Sequence, residues 1–177
     1  MTTRIATVSF VLLAFAGVSA ASEPELTVVE SVDLDRYLGT WYEVASYPAW
    51  FQKNCTAVTA EYSMRDDGLI KVVNSCRKGS LDGKLKQSTG RAKVVDSATN
   101  AKLKVSFFGP FWGDYWIIDL DPDYRWAVVG VPSRKYLWVL SRSPVMDRAD
   151  YDGIISRLPE AGYDVSRLEM TLQPGAE

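Results

Sequence analysis

The sequence predicts an all-β fold: an eight-stranded antiparallel up-and-down β-barrel with one C-terminal α-helix packed on its outside. Apolar and polar residues alternate along segments such as 58–63 and 102–107, the pattern of strands with one buried face. Turn-forming pairs, among them Asp67-Gly68, separate these segments at short intervals. The chain has 177 residues, of which 47% are hydrophobic, enough for one domain with a substantial core. Short strands joined by tight turns favour a barrel.

The predicted elements follow one another at hairpin spacing. A short helical turn is expected at 34–38, before the first strand. The eight barrel strands are predicted at 40–47, 56–64, 69–76, 88–95, 101–107, 114–120, 126–131 and 136–141.

One helix follows the barrel strands, beginning at 146 or 147 and ending near 158, with Asp147 as its N-cap. Pro159 and Gly162 end it. A last short strand at 168–172 is expected to pair with the barrel edge. The apolar stripe that would pack the helix on the barrel consists of Tyr151, Ile154, Ile155 and Leu158.

The composition excludes several classes of function. The chain has no histidine, which removes the usual metal ligand and the common base of nucleophilic triads. This absence does not exclude catalysis, but it removes the common routes to it, and we expect no metal, no cofactor and no enzymatic activity. A formal net charge of −2 offers no electrostatic surface for nucleic acid. Six Trp, nine Tyr and six Phe indicate aromatic-rich strands, an aromatic-lined pocket, or both.

Residues 1–21 have the pattern of a secretory signal peptide, which leaves 22–177 as a single domain. Arg4 supplies the positive charge, 8–18 is a short apolar stretch, and small residues at 18–21 offer a cleavage site. The apolar stretch is too short to span a bilayer, so a membrane anchor is the weaker interpretation.

The two cysteines, Cys55 and Cys76, fit an oxidising compartment. They flank a hairpin with a tight turn at 65–68, so folding brings them within reach of a disulfide bond. Strict alternation places Cys76 on the inward face and Cys55 on the opposite one. The bond therefore requires Cys55 to lie in the loop that enters its strand.

Three separated segments meet at one end of an up-and-down barrel. Gly39 and Trp41 begin the first strand, Asp123 and Tyr124 lie in a turn between two hydrophobic strands, and Arg142 follows the last strand. The Trp41 indole would plug this end, and the Arg142 guanidinium would cover it through cation–π and hydrogen-bonding contacts. A barrel closed at one end is a cup, which indicates a carrier.

These segments resemble the three motifs of the lipocalin family. The Gly-x-Trp motif is at 39–41, the Thr-Asp-Tyr turn is at 122–124 with Pro122 in place of threonine, and the arginine is Arg142. The resemblance runs from about 33 to 174. Several stretches are similar to the bacterial outer-membrane lipocalins and apolipoprotein D, namely 40–45, 62–68, 104–111 and 136–142.

The resemblance implies a carrier or store for a small hydrophobic ligand, such as a fatty acid or lysophospholipid, with a role in cell-envelope maintenance or stress. Many bacterial relatives are lipoproteins with a cysteine at the signal cleavage point. Here the first cysteine is Cys55, which favours a soluble exported protein, periplasmic or secreted. The oligomeric state is left open between monomer and homodimer.

Successive side chains of a strand point to opposite faces, so counting alternate residues from an inward-facing Arg142 predicts which side chains face the barrel interior. Ala60, Gly90 and Ala92 are small inward positions and indicate a cavity. Tyr62, Asn74 and Tyr115 offer hydrogen bonds to a head group; Tyr62, Asn74 and Trp138 match pocket positions of apolipoprotein D-like lipocalins. The candidate ligand-binding residues are Val58, Ala60, Tyr62, Ile70, Val72, Asn74, Ala92, Val105, Phe107, Tyr115, Ile117, Tyr136 and Trp138.

Strand direction places the loops 48–54, 77–87, 108–113 and 132–135 at the open end. These loops contain large apolar side chains where solvent exposure is expected, namely Trp50, Phe51, Phe108, Phe111 and Trp112. Such a mouth favours contact with a lipid, a membrane surface or a partner, against the alternative that these residues pack on one another or on a second copy.

Other functions compatible with the same barrel are an isomerase or epoxidase-like enzyme, a tetrapyrrole or carotenoid carrier, and a protein-binding module. An enzyme would draw on Cys76 if it is free, or on Glu43, Glu61 or Tyr115. The sequence shows no nucleophile–base pair, and Glu61 falls on the outward face.

Overall fold

The computed structural model describes residues 25–175 and contains a closed antiparallel β-barrel. Each barrel strand pairs with its neighbours in sequence, and the first strand pairs with both the second and the eighth, which closes the barrel. The predicted fold class is confirmed. The barrel strands are β1 (Gly39–Ser46), β2 (Cys55–Met64), β3 (Ile70–Lys78), β4 (Leu85–Val94), β5 (Lys102–Ser106), β6 (Gly113–Leu120), β7 (Trp126–Gly130) and β8 (Leu137–Ser141).

Two helices accompany the barrel, each with an aspartate at its N-cap. The short α1 (Leu34–Tyr37) lies under the closed end, and Asp33 accepts hydrogen bonds from the first backbone N–H groups. The longer α2 (Arg148–Arg157) begins after Asp147, whose carboxylate accepts from Ala149 and Asp150. Both predicted helices are therefore present within a residue or two of their expected ends.

The core has two layers, one inside the barrel and one between the barrel wall and α2. The outer layer contains Ile154 of α2 and Leu158, the C-cap residue of that helix, packed on outward-facing residues of β7 and β8 such as Val128 and Val139. Tyr151 and Ile155 pack against the same cluster, as the predicted stripe requires. The helix thus covers one side of the barrel and leaves the interior to the inward faces of the strands.

A ninth strand, β9 (Glu169–Met170), lies outside the barrel and is shorter than the predicted 168–172. It pairs antiparallel with β1 at Ala45 and Ser46. The register between β1 and β8 shifts at this place, between Glu43 and Ala45. On the edge of β1 opposite β8, the pairing with β2 ends at Tyr42, and β9 and the segment after it supply partners for the backbone that follows: Thr171 N–H donates to the Val44 carbonyl at 2.8 Å.

Cys55 does not lie in a loop, as alternation required; it is the first residue of β2. The disulfide with Cys76 is present, with the Cα atoms 5.5 Å apart. A β-bulge between Thr56 and Thr59, with Ala57 at a φ of 45°, adds one residue to β2 and reverses its parity. Cys55 and Cys76 therefore meet on one face.

Two further predictions differ from the structure or fall outside it. β4 begins at Leu85 and not at 88, because β3 also continues to Lys78 and the pairing extends to Arg77 opposite Leu85. The predicted signal peptide, 1–21, lies outside the described residues. Within 25–175, no helix has the length and apolar character needed to cross a membrane.

Candidate ligand cavity

The closed end of the barrel is sealed by Trp41 and Arg142. Trp41 is fully buried, and its indole N–H donates to the Tyr37 carbonyl at 2.8 Å. The Arg142 guanidinium lies 3.8 Å from the Trp41 ring centroid and donates to the carbonyls of Thr40 and Arg36 at 2.9 and 2.6 Å. Gly39 has a φ of 92° and lies against this guanidinium, where a side chain would crowd it.

The turn after β6 completes the same end. The Tyr124 hydroxyl accepts a hydrogen bond from the Asp33 backbone at 2.7 Å, and the Arg36 guanidinium lies 4.1 Å from the Tyr124 ring centroid. The Asp123 backbone N–H donates to the Asp121 carboxylate at 3.0 Å. The three segments that the sequence assigned to one end are therefore brought together, and they tie the start of α1 to the barrel.

Above this closed end lies a cavity of about 1040 Å³. Its deep wall is aliphatic and aromatic, and its upper part reaches the lip turn (Trp50–Gln52), a short 3-10 helix between β1 and β2. Of the thirteen candidate ligand-binding residues, the cavity wall contains Val58, Ala60, Tyr62, Ile70, Val72, Asn74, Ala92, Val105, Phe107, Tyr115, Tyr136 and Trp138.

The exception is Ile117, which does not reach the cavity wall. It is fully buried in the packed cluster inside the barrel, together with Trp41 and Ala127. The prediction that Ile117 faces the barrel interior was correct, but it lies in a part of the interior that side chains from the surrounding strands fill completely. Ile117 is therefore a core residue here.

Gly90 also acts differently from the expectation that small residues leave open volume. A Cβ at Gly90 would lie 2.8 Å from Cδ1 of Phe107 and 2.6 Å from the Ser106 carbonyl oxygen. The Phe107 ring thus occupies the space that the missing side chain provides. Ala60 and Ala92 do border the cavity.

Comparison with known proteins agrees with this architecture. A family model described as a lipocalin-like domain matches residues 32–173. The chain belongs to the lipocalin family. It is 42% identical over 172 residues to outer membrane lipoprotein Blc of Escherichia coli (strain K12), with 97% of this chain and 95% of that protein covered. It is 33% identical over 159 residues to apolipoprotein D of Mus musculus, with 85% and 82% covered. The predicted relationship to these two groups is confirmed.

Among solved structures, insecticyanin from the tobacco hornworm Manduca sexta has the same fold. Its TM-score is 0.68 at 22% sequence identity, and the match covers 84% of each chain. At this identity the likeness concerns the fold alone.

Deep in the lipocalin cavity, three tyrosines form a hydrogen-bonded cluster. The Tyr115 hydroxyl lies 2.8 Å from the Tyr37 hydroxyl and 2.9 Å from the Tyr62 hydroxyl. Burial raises the pKa of Tyr62 to about 12 and the pKa of Tyr37 and Tyr115 well above the ordinary value of 10.0. The cluster therefore stays neutral at physiological pH, and with two of its three hydroxyl protons shared internally it can offer one to a ligand.

Tyr37 was not among the predicted cavity residues, because it lies on α1 and not on a barrel strand. The signal that could have found it is its position four residues before Trp41, which places both side chains at the closed end. Their rings are 5.0 Å apart.

A second polar cluster, absent from the predicted ligand-binding set, surrounds Glu43. This residue is 4% exposed and lines the cavity. Its carboxylate accepts hydrogen bonds from Ser46 at 3.1 Å, Gln52 at 2.7 Å and Thr171 at 2.6 Å. Burial raises the pKa of Glu43, and the three hydrogen bonds oppose that effect. Its position two residues after Trp41 is consistent with an inward-facing side chain, but from the sequence Glu43 was only a candidate group for an enzyme, and nothing local indicated these partners.

The open end carries large apolar side chains, as predicted, but not all are exposed. Trp50, Phe108 and Phe111 are 82%, 78% and 77% exposed. Phe51 is less exposed, and its ring packs against Trp50 and Tyr136. Trp112 differs from the expectation: its half-buried ring lies beneath the cationic groups of Arg91 and Lys93, at 5.3 and 4.6 Å from the centroid.

Two groups considered for chemistry are accounted for elsewhere. Cys76 is in the disulfide bond, and Glu61 is exposed on the outer face of β2. Within residues 25–175, no group of three or more Cys, Asp or Glu side chains is arranged to hold a metal ion. What the cavity offers is apolar volume with two polar clusters, one deep and one near the mouth.

Proposed function

We propose that this lipocalin binds and carries, or stores, a small hydrophobic molecule such as a fatty acid or lysophospholipid in its barrel, for maintenance of the cell envelope. The observation that carries the proposal is the cavity of about 1040 Å³, sealed by Trp41 and Arg142 at one end and bordered by exposed side chains at the other. The proposed activity is binding without chemistry.

The free energy available from apolar contact is sufficient for this role. A chain of about sixteen carbons buries roughly fifteen methylene or methyl groups at about 0.8 kcal/mol each. The gross gain of roughly 12 kcal/mol is reduced by the ordering of ligand and side chains, yet it leaves room for micromolar affinity. A charge pair with the protein is not required for binding at that level.

The test is native mass spectrometry of the chain from residue 22, after incubation with a total envelope lipid extract. We expect a discrete adduct with the mass of a fatty acid or lysophospholipid. Ala60→Phe fills the cavity from an inward position of β2, and we expect it to reduce adduct formation at least tenfold. Glu61→Phe places the same ring on the outer face of that strand and is the matched control.

Two results would contradict the carrier function. One is a bare protein mass for the wild-type chain across the lipid extract. The other is an adduct that survives unchanged in Ala60→Phe, since a ligand inside the barrel has to compete with the added ring for the same volume.

We also propose that the exported protein meets the membrane through its open end when it exchanges ligand. Support comes from Trp50, Phe108 and Phe111, whose exposed rings surround the entrance. Exposed aromatic side chains of this kind are typical of surfaces that contact lipid. The relative from Escherichia coli is named as an outer membrane lipoprotein, whereas this chain has no cysteine at the predicted cleavage point.

Sedimentation with liposomes made from the same lipid extract tests this contact. The double change Phe108→Ser and Phe111→Ser should abolish co-sedimentation. Met170→Ser removes a 64% exposed apolar side chain from β9, outside the barrel, and should leave it unchanged. Equal binding by all three proteins would argue against docking through the mouth.

A further inference from the structure

Glu43 is a buried carboxylate on the wall of an otherwise largely apolar cavity. Its two oxygens accept hydrogen bonds from Ser46, Thr171 and Gln52, all of which are uncharged. In the described part of the chain, no lysine or arginine forms an ion pair with it, and none contributes to its pKa shift. A buried charge without a countercharge is costly, so this position is complementary to a cation supplied from the cavity.

Aromatic rings form a continuous row beside this carboxylate. Ring centroids are 5.7 Å apart for Trp50 and Phe51, 5.6 Å for Phe51 and Tyr136, and 5.7 Å for Tyr136 and Trp138. All four residues line the cavity near its mouth. Aromatic faces attract ammonium and quaternary ammonium groups, most strongly where water is excluded.

Gln52 joins the aromatic row to the carboxylate. Its side-chain carbonyl accepts from the Trp138 indole N–H at 3.0 Å, and its amide N–H donates to Glu43 at 2.7 Å. The indole nitrogen can only donate, and this fixes the direction of both hydrogen bonds. Gln52 must present its oxygen to Trp138 and its nitrogen to Glu43. The side-chain amide of Gln52 thus bridges the Glu43 carboxylate and the Trp138 indole.

We infer that Glu43 and this aromatic row form a site for the cationic nitrogen head of an amphiphile, a protonated amine or quaternary ammonium. The alkyl chain of such a ligand would extend down the apolar wall toward the tyrosine cluster. The inference rests on the proposed carrier function and names the head group that the same cavity favours.

Lysines on the rim provide the competing arrangement, in which an anionic head is bound at the mouth. Lys53, Lys78 and Lys86 all border the cavity, and the Lys78 ammonium donates to the Lys53 carbonyl. All three side chains are exposed, so water and salt screen their attraction for an anion. The buried carboxylate is screened far less, and it repels an anionic head that approaches it.

The experiment compares three ligands with the same chain: decyltrimethylammonium, decanol and decanoate. Affinities are measured by isothermal titration calorimetry at pH 7, below the micelle concentrations. We expect decyltrimethylammonium to bind about tenfold more tightly than decanol, and decanoate to bind more weakly than the ammonium compound. A quaternary head is used because its charge does not change with pH.

Two matched variants separate charge from structure. Glu43→Gln removes the charge but keeps the hydrogen bonds, since the amide oxygen can accept from Gln52 while its nitrogen donates to the hydroxyls of Ser46 and Thr171. Glu61→Gln removes a carboxylate of the same kind from the outer face of β2. Glu43→Gln should abolish the preference for the ammonium compound over decanol, and Glu61→Gln should leave that preference unchanged.

The outcomes distinguish the cation site from the carrier function. If decanol binds and the ammonium compound is not preferred, the cation site is overturned and the carrier function stands. An equal loss of all three ligands in Glu43→Gln likewise overturns it, because Glu43 would then act on cavity shape alone. If none of the three ligands binds to the wild-type protein, both the carrier function and the cation site fail.

Discussion

The two ends of the barrel use tryptophan in opposite ways. At the closed end Trp41 is fully buried, bonded through its indole N–H and covered by the Arg142 guanidinium. At the open end Trp50 is 82% exposed and contacts a single ring, that of Phe51, among the aromatic contacts of the described residues. The same side chain therefore serves as a structural plug in one place and as accessible apolar surface in the other.

This difference shows where the free energy of folding is gained. The closed end removes apolar surface from water and satisfies its polar groups, both of which stabilise the fold. The open end leaves apolar surface in water, which contributes nothing to folding and is useful only for binding. Substitutions at the closed end should change stability, and substitutions at the open end should change ligand or membrane affinity.

The largest contrast is expected between Trp41→Ala and Trp50→Ala. The first removes a fully buried ring and leaves the Arg142 guanidinium without its aromatic partner, so we expect a loss of about 3–5 kcal/mol in the free energy of unfolding. The second should stay within about 0.5 kcal/mol of the wild type. Urea denaturation followed by circular dichroism measures both; similar losses for the two variants would remove the distinction between the ends.

The disulfide bond joins the start of β2 to β3. Although it lies toward the open end, we expect it to stabilise the fold. Replacing Cys55 and Cys76 together by serine releases a covalent loop with a sequence separation of 21 residues. A loss of about 3 kcal/mol is expected from the greater freedom of the unfolded chain. The urea midpoint should fall and the slope should rise, because the unfolded chain without the bond is less compact and exposes more surface, and the closed barrel should still bind ligand. Loss of binding would show that the bond also shapes the cavity.

The tyrosine cluster allows a comparison within the closed half. Tyr115→Phe removes the hydroxyl that contacts both neighbours and leaves two buried hydroxyls without that partner, at a cost of about 2 kcal/mol. Tyr62→Phe removes one contact and should cost about 1 kcal/mol. Thermal unfolding at pH 7 resolves the order. If Tyr62→Phe proves the more destabilising, Tyr115 is not the bridging group.

The smallest expected effect is a pH dependence from Glu43. Its pKa in the folded protein is raised above the ordinary value of 4.5 by burial. The stability it contributes is therefore fully present below that value and is lost as pH rises through the folded pKa. The free energy of unfolding of Glu43→Gln, relative to wild type, should rise between pH 4 and pH 7. A constant difference over this range would mean that the pKa is not shifted.

Much of the fold could be predicted because strand periodicity is a local property. Alternation along 58–62 and 136–140 assigned Tyr62 and Trp138 to the interior correctly, since successive side chains point to opposite faces. The closed end was also predictable: Trp41 and Arg142 are distant in sequence, but strand direction alone brings them together. These assignments depend only on the order of strands and on parity.

What alternation could not supply is the place where parity changes. The bulge around Ala57 reverses the facing of Cys55, and the β1–β2 pairing ends at Tyr42, which leaves backbone groups of β1 that bond to the C-terminal segment. The position of a bulge depends on how two whole strands pair, and the residues of one segment do not reveal that pairing. Strict counting therefore failed for Cys55 and succeeded for its partner Cys76.

The sequence by itself determined the barrel, its closed end and the inward faces of its strands, because these follow from a period of two residues and from motifs in order. Only the tertiary structure decided that Phe107 fills the space at Gly90, that Tyr37 joins the tyrosine cluster, and that Glu43 meets Thr171. These contacts join residues from different elements, the last across 128 positions of the chain. They depend on how side chains of the closed barrel share a limited volume, and that volume exists only once the barrel has formed.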